Sequence, residues 1–402
     1  MREYAVAILA YHPMPYHVAF YRAVHAAPGL RETVLFLDRY GIEGRFDPEF
    51  GTEVKWDTPL LAGYRYKFIR NLTSGVYSGP AMRINPGLIP EIAFGRYDAV
   101  LITGYDTFSA WIALFAAKLS GKKTILRAEA DLANPSQSLK RRLKDRFLGR
   151  VLKLYPAIMY SCEKNRQYFR HFGAADEKLF PVPSAADNAH FLDLRRYAAR
   201  RRSDLRRVHG IPQDAVAALF VGRHIDRKRP GDLFEAFKRL HARHPRLWAV
   251  FVGDGPLRSG MEADARAAGL DRMVFAGFKN LSEVANYYFM ADLFVMPSQY
   301  DPTPKAVNEA MICGLPVVVS TGVGTANDLV VDDANGLVYE TGDVDALAAA
   351  IARLSAAPAL RAQLGDAAVQ AASKWSPETG VQGLVEALEF CFHGNRGAGA
   401  RC

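Results

Sequence analysis

Short apolar runs separated by helix-length segments recur through almost the whole chain, and no other feature restricts its folding so strongly. In the second half, Val216 to Val221, Trp248 to Val252, Met273 to Phe275, Leu293 to Met296 and Val317 to Val319 read as strands. Helical periodicity fills the intervals, as in Gly231 to Arg243 and Ser282 to Met290. The first half follows the same order with Tyr4 to Ala10, Thr33 to Leu37, Asp98 to Ile102, Lys123 to Arg127 and Ala157 to Tyr160, linked by helices such as Val18 to Ala26 and Ser109 to Leu119. A continuous apolar run needs cover on both faces, and a crossover helix supplies it. The alternation therefore predicts an α/β fold of parallel sheets between helix layers.

The 402 residues allow two such units or slightly more, and a hydrophobic half of the composition is enough for their cores. Around PVPSAADNAHF the pattern changes, and an arginine-rich run leads to HGIPQDA before the next strand. Polar connectors with proline are where few contacts cross. The expected division is a first domain over 1–190, a linker over 191–214 and a second domain over 215–375. An amphipathic helix over 376–392 and a disordered tail over 393–402 follow.

No apolar run reaches bilayer length, and the opening MREYAVAILAYHPMPYH has no small-residue cleavage site, so a cytoplasmic protein is expected. Cys162, Cys313, Cys391 and Cys402 show neither metal-ligand spacing nor a disulfide framework, which predicts reduced thiols. The net charge of +9 favours acidic partners. Leu139, Leu143, Phe147 and Val151 recur every four residues among Lys140, Arg141, Arg142, Lys144, Arg146, Arg150 and Lys153. Such a basic amphipathic helix over 139–155 suits an anionic membrane surface, or equally a helix packed on its own domain with its charges in water. Nucleic acid is not expected as a partner, because charge alone supports it and no motif does.

In parallel sheets ligands gather at the carboxyl ends of strands, so the loops there matter most. First-half loops hold His12, Tyr16 and His17, then Tyr105 and Asp106, then Arg127, Glu129 and Asp131. Together these make a polar wall, although each alone also suits a helix cap or turn. In the second half, GRHIDRK brings Gly222, Arg223 and Lys228, a rigid fork and a mobile point charge suited to a diphosphate. Gly253 in GDGP permits close backbone approach, and Phe278 in AGF adds an aromatic ring. The stretch Ser298 to Ser320 sets Asp301 and Glu309 eight positions apart around a helix start at Pro304 and Lys305. Backbone N–H groups at such a start favour an anion.

GRHIDRK, VGDGP, FAGF and DPTPKAVNEAM-x-CGLPVVVS, in this order and spacing, resemble the C-terminal half of retaining GT-B glycosyltransferases of family 4. The resemblance is specific from about Val216 to Glu340. In the first half it rests on the GYD position and on the patterns at Ser161 to Asn165 and Val182 to Asp187. It implies two Rossmann-like domains facing across a cleft, with the helix over 376–392 crossing back to the first. Arg223 and Lys228 would then neutralise the leaving diphosphate, and Glu309 would hold the ribose hydroxyls. Asp301 would contact the sugar, and Gly222, Gly253, Phe278, Lys279 and Thr303, Pro304, Lys305 and Ala306 would line the donor site. His12, Tyr16, His17, Tyr105, Asp106, Arg127 and Glu129 would lie on the acceptor side.

Two departures from the family pattern stand out. Asp301 takes the place of the usual glutamate, and Tyr105–Asp106 takes the place of a first-domain histidine, so no catalytic base is assigned there. The resemblance implies transfer from a nucleotide-sugar, with UDP-sugar favoured, to a lipid-linked or polysaccharide acceptor by front-face displacement. Neither a cofactor nor a metal is expected, since no carboxylate pair has D-x-D spacing in a suitable loop and no histidines cluster. Other classes compatible with the sequence are a non-catalytic glycan-binding or partner subunit of the same fold, a phosphorylase and an epimerase.

Overall fold

A computed structural model describes residues 3–47, 52–73, 83–132 and 147–394. They form two compact units. The described residues of the first fall within 1–43, 59–184 and 377–402, and those of the second within 44–58 and 185–376.

The first unit is built on a parallel sheet of β1 (Tyr4–Ala10), β2 (Leu30–Phe36), β5 (Tyr66–Phe68), β6 (Ala99–Thr103), β7 (Lys123–Arg127), β8 (Ala157–Tyr160) and β9 (Leu179–Pro181), ordered β5-β2-β1-β6-β7-β8-β9. Every residue of β1 is buried, as a central strand covered on both faces requires. Thr107 caps the helix Phe108–Leu119 by accepting from the Ala110 N–H at 3.1 Å. The helix Pro377–His393 packs on this unit, far from its neighbours in sequence. Two glycines let it lie close. A Cβ on Gly383 would sit 2.0 Å from the Pro181 carbonyl, and one on Gly380 would sit 3.3 Å from Phe20. Phe392 stacks on Tyr4 at 5.3 Å and Phe390 leans on Phe180 at 5.5 Å, which closes the contact with aromatic area.

The second unit holds β10 (Val216–Val221), β11 (Leu247–Val252), β12 (Met273–Gly277), β13 (Leu293–Met296), β14 (Val317–Ser320) and β15 (Gly336–Tyr339), ordered β12-β11-β10-β13-β14-β15. All five pairings are parallel. The order reverses at β10, which lies between β11 and β13. A doubly wound sheet opens its ligand crevice at that switch point, outside the carboxyl ends of the strands.

Residues 191–214 are not a linker. They form most of the helices Asn188–Arg195 and Ala198–Val208, which belong to the second unit. Arg206 is fully buried there; its guanidinium donates to the carbonyls of Met290, Pro212, Gln213 and Ala215 and pairs with Asp292 at 2.6 Å. Arg202 meets the other Asp292 oxygen at 2.7 Å, and the Ala217 N–H donates to Asp292 as well. A run of arginines reads as a solvated face, but a guanidinium supplied with carbonyl acceptors can fasten a helix to the amino ends of central strands.

Sequence periodicity also gave no sign of β5, β9 and β15, which are three or four residues long. A hairpin of β3 (Arg45–Asp47) and β4 (Thr52–Val54) falls in the second unit, although its sequence lies in the first half. The tail residues 395–402, including Cys402, lie outside the described residues, as does 139–146 of the basic segment. Among the described residues no helix is long and apolar enough to cross a membrane.

Candidate active site

The crevice of the second unit is lined by loops that touch through glycine. Gly253 adopts φ +122°, and a Cβ there would fall 1.9 Å from the Gly222 carbonyl. A Cβ on Gly255, at φ +148°, would fall 2.7 Å from the His224 carbonyl. The loops after β10 and β11 therefore run backbone against backbone, joined by Gly222 N–H to Val252 O at 3.0 Å and His224 N–H to Asp254 O at 2.8 Å. Beyond them the chain makes a 3₁₀ turn over Asp226–Lys228 and enters the left-handed region at Arg229, φ +49°. That conformation is costly for a residue with a Cβ. Arg229 is held there by donating Nε to Asp232 at 2.7 Å. Lys228, one residue earlier, meets the carboxylate of Asp301 in a hydrogen-bonded ion pair.

Asp301 is positioned by its backbone. Its N–H donates to Gly322 O at 3.2 Å and its carbonyl accepts from Gly324 N–H at 2.8 Å, while Gln299 N–H bonds Arg227 O at 2.9 Å. A Cβ on Gly324 would lie 1.9 Å from the Pro302 carbonyl. Gly324→Ala should therefore push the loops apart by more than an ångström and displace Asp301, with a measurable fall in Tm. A thermal melt checks this; a wild-type Tm would contradict the placement.

The side chains of Lys228 and Asp301 are only 14% and 11% exposed. Such a pair is largely desolvated, and removing either partner leaves the other charge buried alone. An ammonium has three donors, so bonding Asp301 leaves capacity for anionic oxygens. Glu309 lies on the helix Lys305–Ile312, four residues beyond Lys305 and so on the same face. It is 4% exposed and accepts from the Tyr288 hydroxyl at 2.6 Å. Burial pushes its carboxyl up to about 7, with the Tyr288 hydrogen bond and Lys305 pulling the other way. Asn308, next to it, accepts from the Ala186 N–H at 2.6 Å and so ties the helix to the start of the unit.

Thr303 is buried beside Pro304, which takes extended backbone immediately before Lys305 and Ala306 open the helix. Arg223 is half-buried directly after Gly222. Phe278 leans on Trp56 with centroids 6.2 Å apart. The Lys279 ammonium pairs with Glu283 at 3.6 Å and lies 5.9 Å from the Tyr287 ring centroid, so it is engaged along the helix Leu281–Met290.

The first-unit candidates have several different partners. Asp106 accepts from the Tyr11 hydroxyl at 2.9 Å, while Tyr105 shares a 2.9 Å hydroxyl contact with Tyr168, so the two neighbours have different partners. His12 is buried against Tyr40, and burial lowers its pKa to about 4, leaving a neutral ring. Tyr16 and His17 sit half-buried in the first turn of the helix Pro15–Ala26. Arg127 places its guanidinium over the Phe20 ring at 4.9 Å, and Glu129 is exposed. Asp131 is buried nearby in sequence. The V-P-x-x-x-D and S-x-x-x-N patterns resolve into a cap and a brace. Asp187 accepts from His190 N–H at 3.1 Å, and Asn165 joins Ser161 N–H to the Ala130 carbonyl.

Three residues near the crevice carried no signal in sequence. His224 is fully buried, stacked on Phe220 at 5.7 Å, and its ring nitrogens have no hydrogen-bond partner. Burial lowers its pKa to about 4, so it is a neutral, apolar spacer under the loop. Tyr288 is legible only once Glu309 is seen buried, and Trp56 lies more than 150 residues before the loops it joins. The glycines of TGVGT, two positions apart after a strand, are the signal that would have revealed the seat of Asp301.

Doubly wound units with glycine-joined loops, a desolvated Lys–Asp pair and a buried glutamate give the chain the GT-B architecture. The family model of the glycosyl transferases group 1 matches residues 201–371, within the second unit. A D-inositol 3-phosphate glycosyltransferase of Geodermatophilus obscurus is 35% identical over 240 residues, covering 57% of this chain and 51% of the relative. A 2-deoxystreptamine glucosyltransferase of Streptomyces kanamyceticus is 33% identical over 189 residues, 46% of this chain and 48% of that one. The chain thus spans about half the length of these curated relatives. Among solved structures, Anabaena Alr3699/HepE in complex with UDP and glucose superposes with a TM-score of 0.72 at 17% identity, over 96% of this chain and all of its own. The lipopolysaccharide glycosyltransferase WaaG gives 0.64 at 18% identity, over 94% and 98%. Likeness at that identity speaks for the fold.

Proposed function

We propose that this protein is a retaining glycosyltransferase that moves a sugar from a nucleoside diphosphate donor, with UDP-sugar favoured, to a lipid-linked or polysaccharide acceptor. The desolvated Lys228–Asp301 pair at the switch-point crevice carries the reading. A diphosphate entering there meets an ammonium already stripped of most of its water and held by a carboxylate, so little reorganisation is left for the reaction itself. Arg223 adds a second cation one loop position beyond Gly222. The acceptor hydroxyl attacks the anomeric carbon on the face from which the diphosphate departs. As the sugar–phosphate C–O bond breaks and the new C–O bond forms, the hydroxyl proton passes to a phosphate oxygen. Arg223 and Lys228 stabilise the charge of the leaving group, and Glu309 anchors the ribose. On this reading no metal or cofactor is needed. The UDP held by the structural neighbour HepE supports uridine as the base.

Calorimetry with UDP, GDP, ADP and their sugar conjugates tests the assignment, with Arg223→Ala as control. Selective binding of one diphosphate that is lost in the variant is the expected result. No binding by any nucleotide would overturn it.

Peripheral association with an anionic membrane belongs to the same reading. In the described part of the basic segment, Leu148 and Leu152 are buried in the first unit's core and Val151 is half-buried against it, so most of this helix's apolar side faces inward. Phe147 remains 54% exposed, beside exposed Arg150 and Lys153. Within the same core cluster, the helix Phe108–Leu119 turns Phe108, Phe115 and Leu119 to the surface, Leu119 at 90% exposure, next to exposed Lys118. Apolar side chains with cations beside them suit an anionic lipid surface. Sedimentation with anionic vesicles should be salt-sensitive and fall several-fold in Phe115→Ser/Leu119→Ser. Equal pelleting by neutral vesicles at high salt would exclude the electrostatic part.

A further inference from the structure

The segment 44–58 belongs to the second unit although the sequence on either side of it belongs to the first, and it reaches the loop after β12. Among the described residues its hairpin pairs with no other strand, and an isolated two-stranded hairpin holds little structure by itself. Side-chain bonding holds the end of the segment. Asn280 Nδ2 donates to the Lys55 carbonyl at 2.8 Å, Asn280 Oδ1 accepts from Asp57 N–H at 3.4 Å, and the Ser282 hydroxyl donates to the Asp57 carboxylate. Between these pins stands Trp56, with its ring centroid 6.2 Å from that of Phe278 and the planes tilted by 54°. Both residues are half-buried, with the Trp56 indole nitrogen on the buried side. Packing that served only the core would have hidden them, since indole and phenyl carry large apolar areas. Instead they form an aromatic ledge at the carboxyl end of β12, where the Gly277 carbonyl accepts from Gly253 N–H at 2.9 Å and so joins the ledge to the GDGP loop.

We infer that Trp56 is a specificity-determining residue for the donor, presenting its indole face to the nucleobase and completing with Phe278 the nucleoside end of the site. The inference rests on the donor reading above and adds to it a recognition element from the first half of the sequence. A flat heterocycle is the ligand that a half-exposed ring pair fits, because stacking needs a π face and little else. Asp57, Asn280 and Ser282 act through the position they give Trp56, and are positioning residues.

The test is calorimetric titration of the full chain with UDP, GDP, ADP and inorganic diphosphate, in wild type, Trp56→Ala, Trp56→Phe and Asp57→Ala. Trp56→Ala should raise the Kd of the preferred nucleotide on the order of tenfold and narrow its margin over the other two. It should leave inorganic diphosphate binding unchanged. Trp56→Phe should keep most of the affinity, and Asp57→Ala should lose part of it with the indole intact. Nucleotide quenching of indole fluorescence should be present in wild type and reduced in Trp56→Phe. A wild type that discriminates among bases, with Trp56→Ala variants that are folded and discriminate equally well, would overturn the inference and leave the donor reading standing. Should wild type bind inorganic diphosphate but no nucleotide, both fall. If Trp56→Ala does not fold, the Phe and Asp57 variants carry the decision by the same margin between bases.

Discussion

Lys228→Ala should lower kcat/KM for sugar transfer by about 10²- to 10³-fold, the range seen when one pre-organised charge donor is taken from a reacting centre. The same change leaves Asp301 buried without its ammonium, so the fold should lose roughly 3 kcal/mol as well. The two effects separate in a second variant. Lys228→Ala combined with Asp301→Asn removes the orphaned charge, and its Tm should recover most of the loss while transfer stays low. Melting curves beside single-turnover rates make the comparison. If activity returned along with stability, Lys228 would be a structural partner of Asp301 and nothing more.

Glu309→Gln should act on stability and on binding in opposite directions. The buried carboxyl titrates near 7 in the folded protein and near its ordinary value of 4.5 once unfolded. Its contribution to stability is therefore fully present below pH 4.5 and is lost as pH rises to about 7. The total loss is about 3 kcal/mol, constant at higher pH. A neutral amide still accepts from Tyr288 and carries no such penalty. The variant should melt higher than wild type at pH 8 and close to it near pH 4.5. Donor binding should move the other way. A carboxylate accepts hydroxyl hydrogen bonds more strongly than a carboxylic acid or an amide. Wild-type affinity for the nucleoside diphosphate should thus climb as pH passes through about 7, and the variant should be weaker and flat. Calorimetry at pH 6 and pH 8.5 is decisive; parallel pH profiles for both proteins would place Glu309 outside the binding site.

The parts of the fold that a reader could take from the sequence are those where one physical demand dominates. A strand such as Val216–Val221 must be apolar throughout because both faces are covered, and its limits are plain in the residue string. Helix starts near Pro230 and Pro377 are visible for a similar reason, because proline there gives up no hydrogen bond, whereas the helix that opens at Pro15 is expected only from Val18. Where two demands compete, the string is ambiguous. Arg206 looks like a solvated charge until four carbonyls and Asp292 are found around it. His224 stands among the charges of GRHIDRK and is a buried, neutral ring. Tyr105 and Asp106 are adjacent in sequence, but their side chains bond to different elements, which no spacing rule conveys. Of the candidate site, Lys228, Asp301 and Glu309 were legible because motif order fixes them. Their supports were not. Tyr288, Gly324 and Trp56 reach the crevice through contacts distant in sequence.

The helix Pro377–His393 gives the molecule an order of birth as well as a shape. A ribosome makes the first unit's sheet early, but the helix that lies on Phe20, Phe180 and Tyr4 emerges only after the whole second unit has been synthesised. The second unit lacks nothing by then, since its hairpin segment was made long before. Completion therefore runs from back to front, and the first unit waits with an uncovered apolar face, a period in which a nascent chain is exposed to aggregation. Shortening the chain from residue 377 onward would injure the half of the protein made first.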